Sequence, residues 1–396
     1  MMWEINPNTN VLMRNKKICF IVTVPITVKS FLLGFTKYLI EKENYDVTFI
    51  CNFDESLNKM CCNEHLHFIP VTMKRGLGLD GISVIRRLTR IFKEQKFDIV
   101  QYSTPNASLY ASIAASLAKA PCRLYCQWGV RYMGFSGAIR CVFKCIEKLI
   151  CLKSTVIEVE SFSLYDFGMK ESLYPKGKAS VIWNGSACGV NMAKFDYTKR
   201  QEFRSKIRTR LGIAAEDVVF GYAGRITRDK GINELVEAFV GANGNEKAKL
   251  LLIGDFDNSG TIRPDIMNTI ENSENIKHIG WVKDVEQYYA AMDVFCSLSY
   301  REGFGLVVIE AGAMATAGIV SNVPGQVDTI IDGKTGLLVD VKSVGSIRKA
   351  METFILNPSL TTKMGVNARV YVADNYDDAV LFAKLAEHRN QIISAL

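Results

Sequence analysis

VVFGYAGRITRDKGINELVEAF, residues 218–239, reads as a buried strand, a turn and the start of a helix. The run from Val218 to Ala223 is almost wholly apolar, as a parallel strand is when both of its faces are covered. Gly224-Arg225 makes the turn and Lys230-Gly231 opens the helix. Arg225 and Lys230 thus stand at the carboxyl edge of a strand, where they can converge on one site. Two cations so placed suit a diphosphate, Arg by a forked contact and Lys as a point charge. Taken alone, the pair could equally be ordinary surface charge.

The same alternation runs outward in both directions. Upstream, β-branched or aromatic runs at 17–24, 46–51, 66–71, 97–102, 122–127, 155–160 and 179–183 alternate with helical patterns at 30–43, 81–95, 106–118, 137–152 and 163–171. Downstream, strands at 217–223, 249–253, 276–279, 293–297, 317–321 and 336–339 alternate with helices near 199–211, 231–243, 264–273, 284–291, 305–315, 343–356 and 359–373, before a last helix at 377–394. This pattern predicts βαβ units and mostly parallel sheets covered by helices. A chain of 396 residues has the length of two domains of roughly 150–200 residues each. The expected division is an N-terminal domain at 1–190, a C-terminal domain at 191–376, and a final helix at 377–396 packing back toward the N-terminal domain. The fold class is α/β, with two doubly wound, Rossmann-like domains facing a cleft. Ligands are expected at the carboxyl ends of the strands.

A second segment, SYREGFGLVVIEAGA at 299–313, speaks to function. A glycine-containing turn that opens a buried helix leaves backbone N–H groups unpaired and aimed at one spot, which attracts phosphate. Glu302, just before that helix, would repel phosphate and so needs another task. Accepting hydrogen bonds from sugar hydroxyls is the obvious one. With Glu310 further along the helix, the segment suggests a sugar attached to a phosphate.

Bulk properties narrow the classes. Apolar residues make up 48% and charged residues 22%, normal for a soluble globular protein. No apolar run reaches the roughly 18 residues of a membrane-spanning helix. RNKKICFIVTVPITV at 14–28 imitates a signal peptide, but Lys29 follows without a small-residue cleavage site, so a first buried strand is expected. Eleven scattered cysteines without a C-x-x-C read as reduced, cytosolic residues. Charge is uneven: residues 1–200 hold 27 Lys and Arg against 16 Asp and Glu, and residues 201–396 hold 21 against 25. A basic first half suits an anionic partner. RRLTRIFKEQK at 86–96 and RCVFKCIEKLICLK at 140–153 place cations beside apolar residues at helical spacing. They are either helices with one face on a sheet or a surface resting on anionic lipid, and the lipid surface is expected. No basic, aromatic-interleaved platform for nucleic acid is present.

Three patterns are set aside. GLGLDG at 76–81 has the glycine spacing of a dinucleotide fingerprint, but Met73-Lys74-Arg75 separates it from any strand. Asp255-Phe256-Asp257 reads as a loop of solvated acids. Cys61, Cys62, His65 and His67 lack a usual zinc spacing. No metal is expected.

The combination G-R-x4-K-G at 224–231, R-E-G-F-G-x4-E at 301–310 and GQVDTIIDGKTGLLV at 325–339 resembles glycosyltransferase family 4. WNGSACGV at 183–190 resembles the asparagine–glycine segment at that family's domain junction, with Asn191 where Asp is usual. VTVPITVKSFL at 22–32 and YCQWGVRYMGFSG at 125–137 resemble members that build bacterial surface polysaccharides on undecaprenyl diphosphate, at the cytoplasmic face of the inner membrane. The resemblance implies the two-domain GT-B fold and transfer with retention of stereochemistry, without a metal or other cofactor. It implies that Arg225 and Lys230 hold the donor diphosphate and that Glu302 accepts from the sugar hydroxyls. The backbone of Gly303, Phe304, Gly305, Leu306 and Val307 would face the β-phosphate or sugar. Glu310 would bind the ribose, and Val282, in GWVKD at 280–284, would read the base through its backbone. Many members carry a His where Gln127-Trp128-Gly129 stands here, so Trp128 either stacks on a sugar or packs. Lys29 or Ser30, after the first strand, could approach the donor at a helix N-terminus.

The resulting expectation is a cytoplasmic, peripheral membrane enzyme. It moves a hexose or N-acetylhexosamine from a UDP-sugar to an undecaprenyl-diphosphate-linked saccharide, by front-face attack of the acceptor hydroxyl. The alternatives are a catalytically silent scaffold in a polysaccharide assembly complex and a sugar-nucleotide epimerase of the same fold.

Overall fold

The strand-and-helix alternation becomes two parallel sheets in the computed structural model, which describes residues 15–64, 66–74, 76, 78, 80–257 and 261–396. The first sheet contains Lys16–Ile21 (β1), Tyr45–Cys51 (β2), His67–Pro70 (β3), Ile99–Tyr102 (β4), Cys122–Gln127 (β5), Val156–Val159 (β6) and Ala179–Ser180 (β7). Its order is β3-β2-β1-β4-β5-β6-β7. The second sheet contains Val218–Ala223 (β8), Ala248–Ile253 (β9), Ile276–Gly280 (β10), Val294–Ser297 (β11), Ala317–Ser321 (β12) and Gly336–Val339 (β13). Its order is β10-β9-β8-β11-β12-β13. Strand order therefore reverses between β1 and β4 in one sheet and between β8 and β11 in the other. These reversals are where the crossover helices diverge and leave room for a ligand.

The period of two explains why β8 is an inner strand. Phe220 and Tyr222 pack into one cluster with Leu250, Leu252 and Phe239. Val219 and Ala223 face the opposite way, into a second cluster with Leu251, Ile253, Phe295 and Phe304. Both faces are apolar because helices cover both.

The chain divides into two compact units. One holds the chain up to Tyr125 with Lys153–Val156 and Arg389–Leu396, and the other holds Cys126–Leu152 and Ile157–His388. In the first unit the final turns return to the strands. The buried Arg389 Nη2 donates to Gln101 Oε1 at 3.0 Å, and Asn390 Oδ1 accepts from Lys16 Nζ at 2.8 Å. In the second unit, the Val190 N–H donates to the Tyr376 carbonyl at 2.7 Å and the Asp378 N–H to the Val190 carbonyl at 3.0 Å. Asn191 Oδ1 accepts the Lys194 N–H at 2.7 Å, closing a turn.

Several details depart from the sequence reading. A helix at Glu55–Asn63 fills the connection between β2 and β3, capped by Asp54, whose carboxylate accepts the Leu57 N–H at 2.7 Å. The seventh strand shrinks to Ala179–Ser180. Lys29 lies inside a wide turn, Val28–Leu32, and its ammonium donates to Asp54 Oδ1 at 2.9 Å. The helical segment begins at Pro25, so Lys29 lies about one turn into it. All eleven cysteines are free. His67 is exposed and stands 3.1 Å from Asp46, while His65, Leu77 and Leu79 lie outside the described residues. Among the described residues no helix is long and apolar enough to cross a membrane.

Phe220 is fully buried at the centre of the second sheet. Truncating a buried phenylalanine removes its transfer energy and leaves a cavity, together about 3–5 kcal/mol. Phe220→Ala should therefore lower the melting temperature by roughly 6–20 °C in differential scanning fluorimetry. A shift under about 2 °C would contradict the inner position of β8.

Candidate functional site

β8 and β11 are parallel neighbours, with Val294 opposite Phe220 and Phe295 opposite Gly221. The turns that leave their carboxyl ends must run side by side. After β8 the chain makes a tight turn at Arg228–Lys230 before the helix Ile232–Gly241. After β11 comes the loop from Leu298 to Gly305. The Tyr300 N–H donates to the Asp229 carbonyl at 2.9 Å, stitching turn to loop. Lys230 Nζ then meets Glu302 Oε1 in an ion pair that leaves both side chains partly accessible. Ser299 Oγ donates to the same oxygen at 2.8 Å. The Glu302 carboxylate is thus held by a cation and a hydroxyl, and Oε2 has no protein partner among the described residues.

The loop ends in Gly305, at φ 106°, which caps the helix Leu306–Ala313. The Val308 N–H turns back onto the Gly305 carbonyl at 2.9 Å. The N–H groups of Phe304, Gly305, Leu306 and Val307 find no protein acceptor among the described residues. They and the helix dipole make an anion-binding end beside Glu302. The Phe304 side chain is buried and packs edge-on to Tyr376 at 5.3 Å, so only its backbone serves the site.

Gly303 is where the loop is most tightly enclosed. A Cβ there would stand 2.6 Å from the Trp128 carbonyl oxygen and 2.8 Å from Glu160 Oε2. Ser161 Oγ donates to the Gly303 carbonyl at 3.3 Å. The turns after β5 and β6 therefore press on the glutamate loop. They bring a second carboxyl, Glu160, to Glu302. Glu160 is buried, and burial pushes its carboxyl up to about 8, with the Glu302 charge adding to the rise and an N–H from Ala187 opposing it. Sequence reasoning missed Glu160. Its signal was an acid closing the apolar strand VIEVE, at a carboxyl edge where chemistry concentrates. Trp128 contributes its carbonyl to this contact and is half-buried.

The other expected residues are distributed along the same sheet edge. Arg225 is 66% exposed and reaches Asp257 Oδ2 at 3.5 Å, while its carbonyl accepts from the Tyr222 hydroxyl at 2.6 Å. Glu310 lies one turn into the helix and accepts from the Tyr289 hydroxyl at 3.2 Å. Burial pushes its carboxyl up to about 7, with Lys194 opposing. Val282 is half-buried against the core that holds Phe304 and Val308. Its neighbour Trp281 is 72% exposed, and the Trp281 N–H donates to Asp255 Oδ1 at 3.2 Å. Asp255 and Asp257 are thus engaged with a backbone amide and with Arg225. Among the described residues no group of three His, Cys, Asp or Glu could hold a metal.

The chain is similar to known proteins. Residues 203–371 match the family described as glycosyl transferases group 1, and residues 17–161 match the glycosyl transferase 4-like family. The capsular polysaccharide biosynthesis glycosyltransferase CapM of Staphylococcus aureus is 32% identical over 386 residues, 96% of this chain and 98% of that one. An Escherichia coli UDP-Gal:alpha-D-GlcNAc-diphosphoundecaprenol alpha-1,3-galactosyltransferase is 25% identical over 358 residues, 86% of this chain and 87% of that one. The crystal structure of HepE from Anabaena, in complex with UDP and glucose, superposes with a TM-score of 0.76 at 17% identity, covering 95% of this chain and 100% of that one. Its likeness is one of fold. The chain therefore belongs to the family 4-like glycosyltransferases, transferases built from two Rossmann-like domains in the GT-B fold.

Proposed function

We propose that this glycosyltransferase acts in surface polysaccharide synthesis and moves a hexose or N-acetylhexosamine, with retention, from a UDP-sugar to an undecaprenyl-diphosphate-linked saccharide. The relatives named for capsule synthesis and for a diphosphoundecaprenol acceptor support the pathway and the acceptor class. The observation that carries the chemistry is the meeting of Lys230 with Glu302 at the strand reversal, beside the open N–H groups of Phe304–Val307. In this reading Arg225, Lys230 and those N–H groups take the donor diphosphate, Glu302 accepts from the sugar hydroxyls, Glu310 from the ribose, and the backbone at Val282 faces the base.

The reaction breaks the bond between the anomeric carbon and the β-phosphate oxygen and forms one to the acceptor oxygen. The acceptor hydroxyl's proton passes to the leaving phosphate. Negative charge grows on that phosphate, where fixed cations and helix N–H groups stabilise it without solvent reorganisation. The site's own charges do this work, so the reading calls for no resident metal. Glu160 suits the same mechanism. A carboxyl that keeps its proton near neutral pH is a donor and a poor nucleophile, which favours front-face attack over a glycosyl-enzyme intermediate. Incubation with UDP-sugars and a prenyl-diphosphate-linked saccharide should release UDP only when both are present. Glu302→Gln should cut this turnover by about 10²- to 10³-fold with the melting temperature intact. Near-normal turnover would remove Glu302 from the role.

The raised carboxyl of Glu160 also has a sign. Its folded value of about 8 exceeds its ordinary 4.5, so the folded state holds a proton that the unfolded state releases between those values. Stability falls as pH rises through that window. Thermal melts at pH 5 and pH 8 should show a larger loss for the wild type than for Glu160→Gln. Equal losses would mean that Glu160 is not held protonated.

An anionic membrane surface is the proposed resting place of the enzyme. The helix Asp80–Gln95 buries Val84, Leu88 and Phe92 and leaves Ile82 exposed at its first turn. The helix Gly137–Lys153 leaves a pair: Ile139 and Val142 are 57% and 52% exposed, beside Lys144 and Lys148. Exposed apolar residues among cations fit a headgroup layer. Co-sedimentation with phosphatidylglycerol vesicles at low salt should fall at least fivefold in the double variant Ile139→Ser, Val142→Ser. Equal binding of variant and wild type would exclude this helix as the contact.

A further inference from the structure

Most cations near the loop at 299–305 are neutralised, and one is not. In the helix Gly137–Lys153, Arg140 and Lys144 reach Glu171 at 3.3 and 2.6 Å. Lys230 has Glu302. Arg131, in the short turn Arg131–Gly134 after β5, pairs with no carboxylate among the described residues. Its guanidinium lies over the Phe143 ring at 4.5 Å and within 6.0 Å of the Phe135 ring. Those rings are themselves stacked at 4.9 Å. The aromatic platform fixes the guanidinium in place and strips part of its water. Burial first, and then the like charge of Arg301, disfavour its charged form.

Arg301 comes from the other side of the contact. It immediately precedes Glu302 and lies against the same turn as Arg131. A Cβ on Gly134 would stand 2.6 Å from Arg301 Nε, so the side chain occupies space that only glycine leaves. Its sole carboxylate among the described residues, Asp229, stands 3.8 Å away through Oδ2, while Oδ1 accepts from the Thr227 hydroxyl at 2.6 Å. Two guanidiniums thus lie against one turn with a single carboxylate, Asp229, between them. Such an arrangement is unfavourable when empty and favourable when an anion bridges it. Paired guanidinium forks match the oxygens of phosphate.

We propose that Arg131 and Arg301 form a second phosphate subsite, which binds the diphosphate of the acceptor next to the sugar-transfer site. The inference rests on the acceptor class proposed above. The donor diphosphate is already matched by Arg225, Lys230 and the helix N–H groups, so this pair answers to another phosphate. Its attachment to the residue before Glu302 sets that phosphate near the transferred sugar, as an acceptor with a short saccharide on its diphosphate requires. An anionic lipid headgroup would offer the same chemistry, and the test separates the two.

The full-length protein is titrated with geranyl diphosphate in saturating UDP, with UDP alone, and with phosphatidylglycerol vesicles. Wild-type protein should bind geranyl diphosphate. Arg131→Gln and Arg301→Gln should each weaken that binding at least tenfold, and Arg131→Gln should leave UDP binding within twofold. The proposal is overturned if wild type binds UDP but no geranyl diphosphate, or if Arg131→Gln binds it as wild type does. A variant that loses tenfold in vesicle binding alone would assign the pair to a headgroup and likewise overturn it. Failure of UDP to bind wild type counts against the donor reading instead, and geranyl diphosphate titrated without UDP still reads the subsite.

Discussion

The ion pair between Lys230 and Glu302 is the interaction on which the candidate site depends. Neighbouring strands stand about 4.8 Å apart, so two turns leaving β8 and β11 cannot avoid each other. What they place there is decided by charge. A lone ammonium at that edge would face the partly dehydrated ends of two apolar strands. A lone carboxylate would face the N–H groups of the next helix and compete with any phosphate. Together they hold each other in place and keep the helix end free. In the proposed function, a donor diphosphate arriving at that end would compete for Lys230 and leave Glu302 to the hydroxyls.

Two glutamates in contact with one loop are given different characters by their surroundings. Glu302 receives an ammonium and a hydroxyl on one carboxylate oxygen. Glu160 receives burial, the field of Glu302 and a single amide, and its carboxyl rises to about 8. Pairs of carboxyls whose environments push them apart are how one site holds an acceptor and a donor of hydrogen bonds at the same pH. The division follows from which turn each residue closes. Glu302 follows β11, at the cation-bearing reversal, and Glu160 follows β6, five strands earlier in the chain and enclosed by the Trp128 turn.

Local patterns were legible because they repeat. β8, β9 and β11 announce themselves as apolar runs, and the helices between them by a period near 3.6, so both sheets and their strand–turn–helix edges follow from reading along the chain. The helix Glu55–Asn63 escaped because it buries only Leu57 and Cys61, one pair at i, i+4, which is too little for a period. Lys230 and Glu302, which the structure brings together, could be named from the sequence because each sits in a glycine turn with a stated need for charge. Glu160, Arg131 and Arg301 were not found, because no local rule marks a single side chain at a strand end. Ser161 and Gly303 are 142 residues apart in the chain, and their contact is a property of the fold.

The basic excess of the first half illustrates the limit of counting charge. Read as a sum it suggests one anionic surface. In the structure its members have separate fates. Arg123 donates to the carbonyls of Lys153 and Ala120 at 2.7 and 3.0 Å, at and just after two helix C-termini. Arg140 and Lys144 share Glu171. Lys29 is taken by Asp54. Each of these is matched locally and adds little to a long-range field, which falls off within about 8–10 Å at physiological salt. Arg131 is the informative member because it is held by aromatic rings and lacks an acid. A cation that the fold positions but does not neutralise implies a ligand more strongly than any excess of charge, since the free energy of pairing it is left for binding.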